Sequence, residues 1–116
     1  MSTVETEDEV QVVTRRPTPQ TRSKPKQQPP YAVIVENDDL HTYAYVIEAL
    51  SKVFGYSQEK AFSLAVEIDS AGRAIVWSGT KELAELKRDQ IRGFGPDHYA
   101  LKPVTFPLGV YLEPLP

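Results

Sequence analysis

The strongest constraint on this chain is a change of hydrophobic period across a short polar hinge. Tyr31-Ala-Val-Ile-Val35 is a β-branched run of the kind that forms a strand. From Tyr43 onward, Tyr43, Val46, Ile47, Leu50, Val53 and Phe54 recur at helical spacing. Between the two lie Asn37, Asp38, Asp39 and His41, all with short polar side chains. Asn and Asp suit such a junction because their side chains bond nearby backbone groups. Thr42 is placed to cap the helix, and Gly55 to end it. A strand that feeds a helix this directly belongs to a layered fold.

The rest of the chain repeats the same punctuation. Ser57 caps a second helix, with Glu59 near its positive end and Ala61, Leu64, Ala65 and Ile68 on its buried face. Asp69-Ser-Ala-Gly72 ends it. Arg73-Ala-Ile-Val-Trp77 is a second strand, after which Ser78-Gly79 turns the chain. Thr80 caps a third helix, with Glu82 and Glu85 early and Lys87, Arg88 and Arg92 late, which matches the helix dipole. Leu83, Ala84 and Ile91 face the core. Gly93, Gly95 and Pro96 end that helix, and Asp97–Thr105 is a loop. Phe106–Glu113 is the last strand, and Pro107 and Gly109 put its start at an edge or a bulge. The order strand, helix, helix, strand, helix, strand predicts an α+β two-layer sandwich, a three-stranded antiparallel sheet on three helices.

Residues 1–30 differ in kind and are expected to form a disordered extension ahead of a domain at 31–116. They hold five of the ten prolines and little apolar material beyond Val10, Val12 and Val13. They also carry five of the thirteen Lys and Arg and four of the sixteen Asp and Glu. The remainder therefore holds eight bases and twelve acids, a net charge of −4. That balance gives no electrostatic case for nucleic acid and leans toward cationic ligands. The chain has no cysteine, which excludes thiol catalysis, disulfides and cysteine-bound zinc. The acidic start is not a signal peptide, and no apolar run is long enough to span a bilayer, so a cytoplasmic location is expected.

Several chemistries fit the polar hinge. Asn37, Asp38, Asp39 and His41 can simply satisfy the backbone at a helix entry. They can accept hydrogen bonds from a cationic amine whose apolar neighbour enters a hole beside them. Asp38, Asp39, His41 and Asp69 also offer ligands for a divalent ion and metal-assisted hydrolysis. His41 can act as a base, but nothing supplies a nucleophile, an oxyanion hole or a phosphate loop. Asp69 closes the second helix, where an anion is poorly placed; it points to solvent or pairs with Arg73 or a ligand amine.

Val35-Glu36-Asn37-Asp38-Asp39, the helix Val46–Phe54, Gly72-Arg73-Ala74-Ile75 and Thr80-Lys-Glu-Leu-Ala-Glu-Leu-Lys87 together resemble ClpS, the adaptor of the Clp protease. The similarity covers roughly residues 31 to 92 and resumes at Pro107-Leu108. It implies a binding module rather than an enzyme, with no cofactor. Such adaptors hold the free N-terminus of a substrate with a bulky apolar first residue, an N-degron, and pass it to a ClpA- or ClpC-type unfoldase. By this resemblance, Asn37, Asp38, His41 and Asp69 face the α-amino group. Tyr43, Val46, Ala65, Ile68 and Leu108 line the side-chain pocket. Glu82 and Lys87 match the unfoldase-contacting surface. This chain departs from the family pattern in four places. Asp69 stands for a histidine, His41 for a threonine, Tyr43 for a gating methionine, and Ala65 for a larger apolar residue. The Gly93–Thr105 loop is also longer. The other reading is a divergent domain of this fold that docks on a partner without reading N-termini.

Overall fold

The computed structural model describes residues 28–116. The expectation of a disordered extension falls almost wholly on residues outside this range. The elements run β1 (Tyr31–Glu36), α1 (Tyr43–Phe54), α2 (Gln58–Ala71), β2 (Arg73–Gly79), α3 (Lys81–Arg92) and β3 (Gly109–Pro114). The sheet order is β2-β1-β3, and both pairings are antiparallel. This is the expected α+β sandwich with three helices on one three-stranded sheet.

Local chemistry explains the element ends. Thr42, Ser57 and Thr80 each sit in extended backbone, and each side chain accepts the N–H three residues on. Gly55 and Gly72 close α1 and α2 in the left-handed region, at φ 74° and 87°. The helices pack on one face of the sheet, with α1 against α2 and α3 against β1 and β3.

β1 is central, and Ala32 through Val35 are all buried. Val33 and Val35 join a core with Val46, Leu50, Ala61, Ala65, Ile68, Ala84, Ile91, Leu108 and Val110. Burying each Val, Leu or Ile contributes roughly 1.5–3 kcal/mol. A shift of register between Val33 and Ile34 adds one residue to β2, where Ala74 and Val76 are buried.

Some sequence expectations are corrected. Ser78 and Gly79 do not turn the chain: they extend β2, paired with Ala32 and Tyr31. A Cβ at Gly79 would fall 2.4 Å from the Trp77 ring, so any larger residue there forces the ring to move. β3 starts at Gly109, not Phe106, and pairs with β1 from Glu36 to Tyr31. The buried face of α1 is Tyr45, Val46, Ala49 and Leu50, while Tyr43 is exposed. Leu83 is also exposed, so α3 contributes Ala84 and Ile91 to the core.

Candidate functional site

The hinge between β1 and α1 is a tight network. Asn37 N–H donates to the carbonyl of Gly72 at 2.9 Å, tying the end of β1 to the end of α2. Asp39 has φ 64°, a left-handed conformation that Asp tolerates better than most residues. That kink lets Asp39 N–H donate to Asn37 Oδ1 at 3.2 Å, while Asn37 Nδ2 donates to Asp39 Oδ1 at 2.8 Å. Asp38 Oδ1 accepts the backbone N–H groups of Leu40 and His41, both at 2.9 Å. Its other oxygen, Oδ2, lies 2.5 Å from His41 Nδ1. Burial pushes the Asp38 carboxyl up. The N–H groups of His41 and Leu40 and the His41 ring outweigh it and hold the group below the usual carboxylate range.

Acceptor capacity remains. A carboxylate oxygen offers two lone-pair directions, so Asp38 Oδ2 keeps one after His41. Asn37 Oδ1 likewise accepts a single donor here. Asp38 side-chain exposure is 24%, so the carboxylate is reachable, whereas the His41 side chain is 1% exposed.

The long loop after α3 buttresses this hinge, which the sequence did not reveal. Asp97 is fully buried. Its carboxylate accepts Thr42 N–H at 2.7 Å, the Thr42 hydroxyl at 3.1 Å and Tyr99 N–H at 2.9 Å. Asp97 and Val104 also exchange two backbone hydrogen bonds that pin the loop on itself. Tyr45 donates its hydroxyl to the Gly95 carbonyl at 2.5 Å. Burial, then Asp97 and Glu48, raise that phenol's pKa. The His41 ring sits between Tyr45 and Phe106, centroids 5.1 and 5.2 Å away, and its Nε2 lies 3.0 Å from the Phe106 carbonyl oxygen. The only local signal for Asp97 was a Gly-Pro-Asp run, which reads as an ordinary turn.

The four apolar positions Val46, Ala65, Ile68 and Leu108 come together in the core, each 7% exposed or less. Tyr43, on α1, donates its hydroxyl to Asp69, on α2, at 2.8 Å. That bond raises the Tyr43 phenol above its ordinary pKa. Tyr43 also leans on Phe62, with ring centroids 6.0 Å apart. Helical spacing explains the arrangement. Tyr43 is one turn from Val46, and Asp69 is one turn from Ala65, so the phenol–carboxylate pair bridges the helices one turn beyond the apolar contact. Asp69 is thus exposed and bonded to Tyr43, not to Arg73; the Arg73 guanidinium reaches Tyr111 and Glu113 instead. A hollow of about 530 Å³ lies elsewhere, lined by Lys52, Val53, Asp89, Gln90, Gly93 and Phe94.

Glu82 is exposed in the first turn of α3. Lys87 donates to the Val53 carbonyl at 2.9 Å and lies over the Phe54 ring. Among the described residues no group of three or more His, Asp or Glu side chains converges to hold a metal ion. No helix there is long and apolar enough to cross a membrane.

Residues 26–108 match the family model of the ATP-dependent Clp protease adaptor protein ClpS. The chain is 37% identical to the ATP-dependent Clp protease adapter protein ClpS of Streptomyces avermitilis over 71 residues, 61% of this chain and 68% of that protein. It is 42% identical to the Nostoc sp. protein of the same name over 71 residues, covering 60% and 73%. With the ClpS of Desulforapulum autotrophicum it shares 35% over 85 residues, covering 73% and 76%. The structure of Agrobacterium tumefaciens ClpS2 bound to L-phenylalaninamide superposes with a TM-score of 0.66 at 25% identity, over 77% of this chain and 100% of that one. The family match and these similarities agree: the chain belongs to the ClpS family of adaptors of the ATP-dependent Clp protease.

Proposed function

We propose that this adaptor binds the free N-terminus of proteins that begin with a bulky hydrophobic residue and delivers them to a ClpA- or ClpC-type unfoldase in the cytoplasm. The observation that carries this reading is the Asp38 carboxylate. Two backbone N–H groups and a buried ring hold it ionised and fixed, with an acceptor position open to solvent. A substrate ammonium has three N–H donors, and Asp38 Oδ2 and Asn37 Oδ1 can meet two of them. Each charge-assisted bond is worth about 1.5–3 kcal/mol. Asp69 adds to the polar surround, and His41, sealed behind Asp38, fixes the carboxylate rather than facing the ligand. The first side chain would enter between Val46, Ala65, Ile68 and Leu108, gaining roughly 1.5–3 kcal/mol more.

Entry requires Tyr43 to swing off Asp69. That breaks one solvent-exposed hydrogen bond, whose partners water can take over. Tyr43 therefore acts as the gate. The ligand of the A. tumefaciens neighbour supports this chemistry, because L-phenylalaninamide is a first residue in miniature: a free α-amine, an aromatic side chain and a capped carboxyl. Glu82 and Lys87, on α3, are the unfoldase-facing residues. The protein works by binding and handover, with no catalytic step and no cofactor, and residues 31–116 are the folded unit.

The test is fluorescence anisotropy with peptides beginning with Phe, Tyr, Trp or Leu, each with a free or acetylated amine. The free peptides bind and the acetylated ones do not. Equal binding of the two sets overturns the ammonium chemistry.

A second reading is favoured by one observation. The Tyr43–Asp69 bond lies across the helix pair, and the four wall residues are already packed together. On that reading the domain docks on a partner and reads no N-terminus. Tyr43→Ala separates the two: if Tyr43 is a gate, the variant binds Phe-initiated peptides more tightly than the wild type, and if there is no pocket neither protein binds them.

A further inference from the structure

The His41 ring meets a hydrogen-bond acceptor at both nitrogens. Nδ1 faces the Asp38 Oδ2 carboxylate oxygen at 2.5 Å, and Nε2 faces the Phe106 carbonyl at 3.0 Å. Neither acceptor carries a proton to give when Asp38 is ionised. A neutral imidazole has one N–H and one lone pair, so in either tautomer a lone pair confronts an oxygen. Only the doubly protonated ring satisfies both contacts. The ring is nearly sealed, 1% exposed and held between Tyr45 and Phe106, so water does not replace the missing bond.

We propose that His41 is the resident cation of the recognition carboxylate, and that capture of a substrate ammonium by Asp38 is coupled to release of one proton from His41 to solvent. This rests on the N-terminus reading above and adds its regulation. The groups facing the ring are Asp38 from the hinge, the Tyr45 phenol from α1, and the Phe106 carbonyl from the loop. Asp97, from the same loop, sits on the adjacent Thr42. Before binding, the ring charge neutralises Asp38. An ammonium arriving at the other lone pair of Oδ2 places a second positive charge beside the ring, and like charges disfavour each other's ionised forms. The ring sheds the proton from Nε2 and keeps Nδ1–H on Asp38. Its new lone pair then opposes the Phe106 carbonyl, which loosens the loop from the hinge. Substrate capture and loop contact are thereby linked through one proton.

Linkage fixes the sign. Because the free protein holds the extra proton, peptide affinity rises with pH on the acid side, by at most about tenfold per pH unit. It falls again above about pH 8 as the peptide's own α-amine deprotonates. The chain has two histidines, His41 and His98, and His98 is exposed in the loop. Titration calorimetry on the full chain, with a Phe-initiated peptide in buffers of different ionisation enthalpy near pH 6.5, counts the protons released. We expect release by the wild type and by His98→Gln, and none by His41→Gln, whose affinity is flat on the acid side. Binding with no proton release by the wild type overturns the inference while leaving the N-terminus reading intact. Equal release by His41→Gln overturns it as well. Should His41→Gln fail to fold, ring ¹⁵N shifts of the wild type decide: both His41 nitrogens are protonated in the free protein and one in the complex. If no peptide binds at any pH, the N-terminus reading itself fails and takes this coupling with it.

Discussion

The two ends of α1 are built on opposite principles. At its N-terminus, Thr42 caps Tyr45, but the Thr42 N–H and hydroxyl both go to Asp97, fully buried and 55 residues away in sequence. At its C-terminus, the chain closes locally with Gly55 in the left-handed region. An apolar platform covers that end, with Phe54 stacked on Tyr56 and Trp77, and Lys87 binding the Val53 carbonyl. One end is held by a hydrogen-bonded network around Asp97 and Asp38, and the other by aromatic packing with one cation. Aromatic packing tolerates small shifts, whereas a network of short directional bonds has one working geometry. The network lies where Asp38 and Asn37 must hold their acceptors in place. The most demanding polar construction of the fold lies at the end where the proposed recognition site sits.

Breaking the network should cost most. Asp97→Ala leaves the Thr42 N–H, the Thr42 hydroxyl and the Tyr99 N–H without their acceptor. Unsatisfied buried donors cost about 1–3 kcal/mol each, so a loss of roughly 3–5 kcal/mol is expected in urea unfolding. Asp97→Asn, which keeps an acceptor oxygen, should lose clearly less. If the two variants unfold alike, the carboxylate network is not what holds this end.

Asp38→Asn separates binding from folding at the same end. The amide oxygen still caps Leu40 and His41, but the charge that meets an ammonium is gone. Peptide affinity should fall roughly 10- to 100-fold, the equivalent of one charge-assisted bond. Glu113→Gln, on β3, serves as the control and should leave anisotropy titrations unchanged. Equal losses in the two variants would remove Asp38 from the site.

The contrast between the ends also explains what the sequence made legible. The C-terminal end is local: helical spacing to Phe54 and then Gly55 announce it without knowledge of the fold. The same holds for Ser57, Thr80 and Gly72. The hinge was half legible, because Asn37, Asp38 and Thr42 bond within a few residues of themselves. Its support was not, since Asp97, Tyr45 and Phe106 act on it only through contacts that fold topology creates. Non-local pairing also defeated the reading of Ser78-Gly79. A Ser-Gly dipeptide is a turn signal by propensity, yet β1 offers it a partner strand and the Trp77 ring occupies the space a side chain would need. Tyr43 and Leu83 were placed in the core by spacing alone and are exposed; Ala84 and Ile91 are buried as read, and Tyr45, which the spacing passed over, is buried as well.

At the aromatic end a single substitution should cost little. Lys87→Met keeps the contact with Phe54 and loses the bond to the Val53 carbonyl, so about 0.5–1.5 kcal/mol is expected. That figure also bears on the proposed unfoldase-facing role of Lys87. A variant with this modest loss in thermal unfolding but a large loss of peptide delivery assigns Lys87 to the partner. A variant impaired only in proportion to its stability assigns it to α1.

The smallest effect expected is an acid one, and it returns to the hinge. The Asp38 carboxyl lies below its ordinary pKa in the folded protein. A depressed carboxyl contributes stability that is complete above the unfolded value and disappears as pH falls through the folded one. The sign is therefore loss toward acid, in a window that starts near the ordinary carboxylate pKa of about 3.9 and extends below it. Asp38→Asn has no such group, so its stability should fall less steeply than the wild type's between about pH 5 and pH 3. Acid unfolding followed by circular dichroism measures both slopes. A variant as acid-sensitive as the parent would mean that the hinge's proton uptake lies on another carboxylate.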